Sequence, residues 1–205
     1  MQGLDVFLTR LIPYAQGCPE PLARQTLLDS AIELCEKTSI VASTTSIMSA
    51  PGVGTYYVEL PVDQIPVNTQ QVWYGDRRLT PLTNEGSLTG AGVVGTTPTH
   101  FYESATGEVT LVPTPTDSDV ITFRVSSKPK RTATSVDDVL YENWVDAIVA
   151  GALKRIQSVP DTPYFSSSGA AWNGLVFHEA VSHARSEALH GRVSSNASVR
   201  ARRFA

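Results

Sequence analysis

The sequence predicts an α+β fold: a bundle of about four helices interrupted by an inserted antiparallel β-sheet or small sandwich. Three observations predict it. Residues 135–158, SVDDVLYENWVDAIVAGALKRIQS, carry the longest helical period in the chain; residues 40–127 switch to a period of two; and residues 168–190 return to a helical period, with a face of small side chains that matches one in the first stretch.

In 135–158, Leu140, Trp144, Ala147, Ile148, Gly151, Ala152 and Ile156 recur at spacings of three and four and so share a face that must be buried. Ser135 followed by Asp138 reads as a capping-box-like start, with Asp137 and Asp138 where the helix dipole favours negative charge; Lys154 and Arg155 lie near the other end, and Pro160 prevents continuation. Gly151 sits at mid-helix beside Ala147, Ala150 and Ala152, although Gly costs about 1 kcal/mol relative to Ala there. That cost implies close approach by another backbone. The expected neighbour is a helix from Ser168 to about His190, whose Ala170, Gly174, Phe177, Val181, Ala184 and Ala188 form the matching face. Trp144, Ile148, Gly151, Ala152, Phe177, Val181 and Ala184 are the expected helix-packing residues.

At the amino terminus, Leu4, Phe7, Leu8 and Leu11 make a short amphipathic helix that Pro13 stops. Pro19, Glu20 and Pro21 then suit the first turn of a second helix, in which Ala23, Leu27, Ala31, Leu34 and Cys35, widened by Leu28 and Ile32, run to near Thr38. Between residues 40 and 127, TYYVEL, QVWYG, RRLTPL, THFYES, GEVTLVP and DVITFRVSS are short stretches of Val, Thr, Tyr, Phe and Ile separated by turn residues. Gly75-Asp76 predicts a hairpin turn, and the turn 113–119 is expected to pair the last two strands. Gly191 is placed to terminate the last helix. The organisation is thus residues 1–39, amino-terminal helices; 40–130, β-rich insertion; 131–191, helical hairpin; and 192–205, an extended basic arm with too little apolar surface to fold alone.

No run approaches the roughly 18 apolar residues of a membrane span, and MQGLDVFLTR lacks the features of a targeting signal, so an intracellular product without membrane contact is expected. Cys18 and Cys35 lie too far apart along a helix to bridge and are expected reduced. Of 16 basic residues, Arg192, Arg200, Arg202 and Arg203 lie in the arm, leaving 12 bases against 20 acids in residues 1–191. An acidic body with a basic tail does not suit a protein that grips nucleic acid with its folded surface.

Motifs that would carry chemistry fail on context. GAGVVG places Gly90, Gly92 and Gly95 in a GxGxxG pattern, but Thr96, Thr97 and Pro98 follow where a helix would have to begin. His178, Glu179 and His183 resemble a zinc-protease helix, yet five residues turn a helix by about 500°, which leaves the imidazoles some 140° out of alignment. No phosphate-binding loop or nucleophile elbow occurs. Lys128, Lys130 and Arg131 read as a solvated connector, with contact to nucleic acid as the alternative. No catalytic, metal-binding or cofactor-binding residues are nominated, and no cofactor is expected. Of the aromatics Tyr56, Tyr57, Trp73, Tyr74, Phe101 and Tyr102, most are expected to be core, since neighbours on a strand point to opposite faces.

The order of these features resembles the head-to-tail connector, or adaptor, proteins of tailed bacteriophages. The resemblance rests on CPEPLARQTLLDSAIELCEKTSI, TYYVELP, GEVTLVPTPTDSDVITFRVSSKPKR, NWVDAIVAGALKRIQSVP and HARSEALHGR, and covers most of the chain; GAGVVGTTPTH is longer and richer in Gly than the family pattern. It implies a structural, non-enzymatic virion protein at the head–tail junction, assembled in the host cytoplasm. Copies of the chain, twelve in the family pattern, would form a ring between the portal protein and a downstream tail or nozzle protein, continuing the channel through which DNA passes without specific binding. The portal-docking arm would use Arg192, Val193, Val199, Arg200, Arg202, Arg203 and Phe204. Trp73, Tyr74, Gly90, Gly92 and Gly95 are candidates for the contact with the tail or a neighbouring subunit. Two alternatives are a carbohydrate-binding β module using Trp73, Tyr74 and Tyr102, and a metal-dependent hydrolase centred on His178 and Glu179.

Overall fold

The computed structural model describes residues 1–83 and 96–190. In chain order the elements are β1 (Gln2–Gly3), α1 (Asp5–Leu11), a 3-10 turn (Ile12–Tyr14), α2 (Glu20–Thr38), β2 (Ala42–Met48), β3 (Thr55–Tyr57), β4 (Gln64–Tyr74), β5 (Arg77–Arg78), β6 (Thr80–Pro81), β7 (His100–Glu103), β8 (Glu108–Val112), β9 (Val120–Pro129), β10 (Ser135–Val136), α3 (Asp138–Ile156) and α4 (Ser167–His190). The fold is α+β, with four α-helices among the described residues.

Helix α3 is the axis of the bundle and touches α1, α2 and α4. Phe7, Leu11, Leu27, Leu34, Leu140, Ile148, Ile156 and Phe177 are its largest fully buried side chains. Gly151 explains the depth of this packing. A methyl group built there would lie 2.9 Å from two ring carbons of Phe177 on α4 and 3.0 Å from Cβ of Ser30 on α2. The first distance is shorter than relaxed carbon contacts and the second is tighter than most, so the absence of a side chain at Gly151 lets three helices converge. Ser30 remains satisfied there because its hydroxyl donates to the Thr26 carbonyl of its own helix at 2.7 Å.

The insertion is a sandwich of two four-stranded sheets, ordered β2-β9-β4-β5 and β3-β8-β7-β6. Val72, Tyr74, Ile121, Phe123 and Val125 of the first sheet meet Tyr56, Phe101, Val109 and Leu111 of the second in a separate core. A polar joint ties it to the bundle. The Gln64 amide, at the start of β4, accepts from Ser127 Oγ at 2.8 Å and donates to Asp137 Oδ2 at 3.3 Å, while Lys128 pairs with Glu36 of α2 at 2.5 Å.

Several expectations are corrected. Helix α3 is capped not by Ser135 but by Asp137, whose carboxylate accepts the Val139 N–H at 3.0 Å; Ser135 instead pairs in β10 with β1. Ser166, not Ser168, accepts the Gly169 N–H at the start of α4, at 3.1 Å. The strands GEVTLVP and DVITFRVSS do not pair: β8 bonds to β3 and β7, whereas β9 lies between β2 and β4 in the other sheet. RRLTPL divides at the buried Leu79, which carries the chain from one sheet to the other. The antiparallel sandwich stands as expected, with one short parallel pairing, β6 with β7. Within the connector, Lys128 is half-buried against Glu36 of α2, whereas Arg131, 3.5 Å from Asp29, keeps a solvated side chain as expected. The hairpin turn stands at Gly75-Asp76 as expected, with Gly75 at φ +55 and Trp73 opposite Arg78.

Glu33 links α2 to α3. Burial works to raise its carboxyl, but hydrogen bonds from Lys37 (2.5 Å) and Arg155 (2.6 Å) outweigh it and hold the group below its ordinary pKa. Such a group stabilises the fold above its unfolded pKa, and the contribution is lost as pH falls through the folded one. The stability difference between wild type and Glu33→Gln, measured by urea titration, is therefore expected to be constant above about pH 5 and to shrink toward acid; a difference independent of pH would contradict the pairing. Gly151→Val is expected to destabilise by about 1–3 kcal/mol. Gly3→Ala, whose new methyl meets nothing within 4 Å, should change stability by less than about 0.5 kcal/mol in the same assay. Equal effects at the two glycines would refute the convergence argument.

Candidate assembly interface

Along α4 the buried positions Gly174, Phe177 and Ala184 face the bundle, and Val181 packs half-buried beside them. The opposite side of the helix carries Trp172, Leu175, Glu179, Ser182, Ser186 and Leu189 at spacings of three and four. Trp172 is 67% exposed, Leu175 66% and Leu189 75%. Large apolar side chains left in water on the face away from the core are the feature that marks a surface for contact.

Trp172 also borders a groove of about 600 Å³ where the 3-10 turn, α3 and the start of α4 meet. Its floor is apolar, from Val149, Ala150 and Leu153, and Tyr14, 68% exposed, forms the facing wall. Gln157 holds the walls in place by donating to the Tyr14 carbonyl (3.3 Å) and accepting from Asn173 (3.0 Å). At the rim Arg10 and Asp146 pair at 3.0 Å, both well exposed, an arrangement worth at most about 1 kcal/mol that exchanges readily for charges on a partner. A second groove, of about 930 Å³ and mostly polar, separates the end of α4 from the first sheet.

The residues nominated from sequence are distributed as follows. Trp144, Ile148, Gly151, Ala152, Phe177, Val181 and Ala184 all lie at or beside the α3–α4 contact. Trp144 is 6% exposed; its ring stands 5.7 Å from that of His183, and its indole N–H has no hydrogen-bond partner among the described residues. Tyr74 is corrected as a contact residue. It is 6% exposed within the sandwich core, and its hydroxyl donates to the Asp117 carbonyl at 2.8 Å, so only Trp73 of that pair faces outward, half-buried. Trp73 and Tyr102 emerge from different sheets, on alternate positions to core residues, so Trp73, Tyr74 and Tyr102 form no common platform for a sugar. Gly90, Gly92, Gly95 and the arm residues Arg192, Val193, Val199, Arg200, Arg202, Arg203 and Phe204 lie outside the described residues.

His178, Glu179 and His183 are exposed on α4, and no group of three metal-ligating side chains converges among the described residues. Both cysteines are free; burial pushes the Cys35 thiol up to about 12, a value at which it is inert. Sequence reasoning missed Tyr14, Trp172 and Leu175. Their signal was legible: Trp172 and Leu175 fall outside the small-residue stripe of their own helix, so the bundle that takes that stripe leaves them uncovered.

No curated protein matches the chain. A protein-family model described as SU10 adaptor protein matches residues 10–200, a span that includes α2, α3, α4 and the sandwich. The chain belongs to the SU10 adaptor protein family.

Proposed function

We propose that this protein is a structural adaptor of a tailed phage that assembles into a ring between portal and tail and continues the DNA channel. The family match across both halves of the fold carries this reading. Three features support it. The helical face with Trp172, Leu175 and the Tyr14 groove offers apolar area to a neighbouring copy. The body is acidic, with 12 bases against 20 acids before residue 192. A lumen of like sign repels phosphate and lets duplex DNA slide instead of adhering. In the basic arm, Arg192, Arg200, Arg202 and Arg203 give a portal surface charged groups to pair with, and Val193, Val199 and Phe204 give it apolar ones. The sandwich, with Trp73 on its outer side, is the part offered to the tail.

Trp172→Asp with Leu175→Asp changes only exposed positions, so the unfolding free energy is expected to stay within about 0.5 kcal/mol of wild type while self-association is lost. Rings of normal size from the double variant would remove this face from the assembly contact. Deleting residues 192–205 is expected to leave a folded subunit that does not co-purify with portal. Infectious particles containing the truncated chain would refute portal docking by the arm.

A further inference from the structure

Four strands border the two sheets of the sandwich, β2 and β5 in the first and β3 and β6 in the second. Three of these borders are blunted in ways that ordinarily stop a further strand from adding. Strand β5 is two exposed arginines, Arg77 and Arg78. The part of β4 that it leaves uncovered carries Pro66, two breaks in register and Thr69, whose N–H is taken by the Glu103 carboxylate at 2.6 Å. Strand β3 has three residues, and β6 has two, one of them Pro81. Strand β2 is different: it pairs with β9 over seven residues without a break, from Ala42 opposite Ser126 to Met48 opposite Val120, and contains no charge, proline or bulge.

Ser127 N–H donates to the Val41 carbonyl and Ser49 N–H to the Asp119 carbonyl, so the odd-numbered residues between them turn their backbone groups toward β9. The N–H and C=O groups of Ala42, Thr44, Ser46 and Met48 therefore point outward, and no described segment takes them. A second copy of the chain does not supply the missing strand in a ring. Its other border strands have two or three residues each among the described ones. Its own β2 is long enough, but pairing of β2 with β2 is isologous: it joins copies two at a time, uses the edge of both and does not continue around a ring. The occupant is then a chain of another kind, and its chemistry follows from what flanks β2. Strand β2 leads away from α2, and at its far end the Ser49 hydroxyl donates to the Asp117 carbonyl at 3.2 Å. Together with the Ser49–Asp119 bond this holds two exposed carboxylates beside Met48, and neither is in an ion pair among the described residues. An added strand would extend the exposed row of Thr44 and Ser46 on one face and the row of Ile47, packed at the sandwich core, on the other.

We propose that the β2 edge takes up an extended segment of the tail-side protein as a fifth strand of the first sheet. That segment is uncharged along β2, alternates polar and apolar side chains, and carries basic residues where it passes Asp117 and Asp119. The proposal rests on the adaptor reading above and deepens it, since it gives the contact between sandwich and tail a mode: main-chain hydrogen bonds at a sheet edge supply the grip, and the carboxylates at its end set the position.

Amide hydrogen exchange on the full chain alone, on the chain bound to portal and on complete particles tests it. The amides of Thr44, Ser46 and Met48 are expected to exchange at least about tenfold more slowly in complete particles than in the other two states. The amides of Ser43, Thr45 and Ile47, bonded to β9, should be protected throughout and report that the sheet is intact. Thr44→Pro with Ser46→Lys removes an outward donor and places a charge on the edge; it is expected to leave rings on the portal and to lower the yield of tailed particles at least about tenfold. Thr44→Val with Ser46→Val keeps every backbone group and is expected to give a normal yield. Slow exchange at the edge in the free monomer, or as soon as copies associate, would assign the edge to this chain itself and overturn the proposal. Equal yields from the two variants would overturn it as well. Fast edge exchange in particles that contain the chain would refute this contact and leave the adaptor reading standing, whereas particles that lack the chain would refute both.

Discussion

The bundle depends on one close approach. At Gly151 the backbone of α3 lies directly beneath the ring of Phe177 and beside Ser30, so α2, α3 and α4 converge at a single residue. The flanking Ala147, Ala150 and Ala152 extend that proximity along the helix, and fully buried Ile148 and Ile156 seal it on either side. A helix that spends a glycine at its centre must recover the loss through packing, and here the recovery is an aromatic ring held without a cavity. Once α4 is fixed by its small-residue side, its other side is fixed too, and Trp172, Leu175 and Leu189 are left facing water. The surface available for assembly is thus a consequence of the core.

The sandwich is held at a defined angle to this bundle by polar contacts, not by a shared apolar core. The two hydrophobic clusters are separate, and the polar contacts that cross between them include the Gln64–Ser127–Asp137 chain and the Lys128–Glu36 pair. Asp137 serves two elements at once, since it also caps α3. Hydrogen bonds are directional where apolar packing is not, so a joint of this kind orients a module that contributes little to the stability of its support. Such an arrangement suits a subunit whose two halves meet different neighbours.

Period and breaker residues made most of the fold legible in the sequence. The helices follow from Leu140 to Ile156, from Ala23 to Cys35 and from Ala170 to Ala188, and the Gly151 patch pointed to its helical partner. Beyond the hairpin at Gly75-Asp76, pairing of strands was not legible, because alternation fixes which residues face inward and says nothing of which strand lies alongside. Hence β8 and β9, joined by a short turn, were assigned to one another although they belong to opposite sheets. Strand β2 escaped notice for a related reason: ASTTSIM has too few large apolar residues to stand out from a loop, yet it completes the first sheet. Caps were misplaced by two residues where Ser135, Asp137, Ser166 and Ser168 offered rival acceptors. At the candidate interface the helix-packing residues were legible and the exposed ones were not, since a search for buried stripes passes over what those stripes leave outside.

Membership of the SU10 adaptor family and the uncovered helical face lead to one account: a subunit that is complete as a fold and incomplete as a surface. Native mass measurement of the purified chain, alone and mixed with the portal protein proposed as its partner, tests that account most directly. It predicts a single closed species with a fixed number of copies, formed by the chain alone or on the portal. A chain that stays monomeric at every concentration, with the portal present in excess, would contradict it.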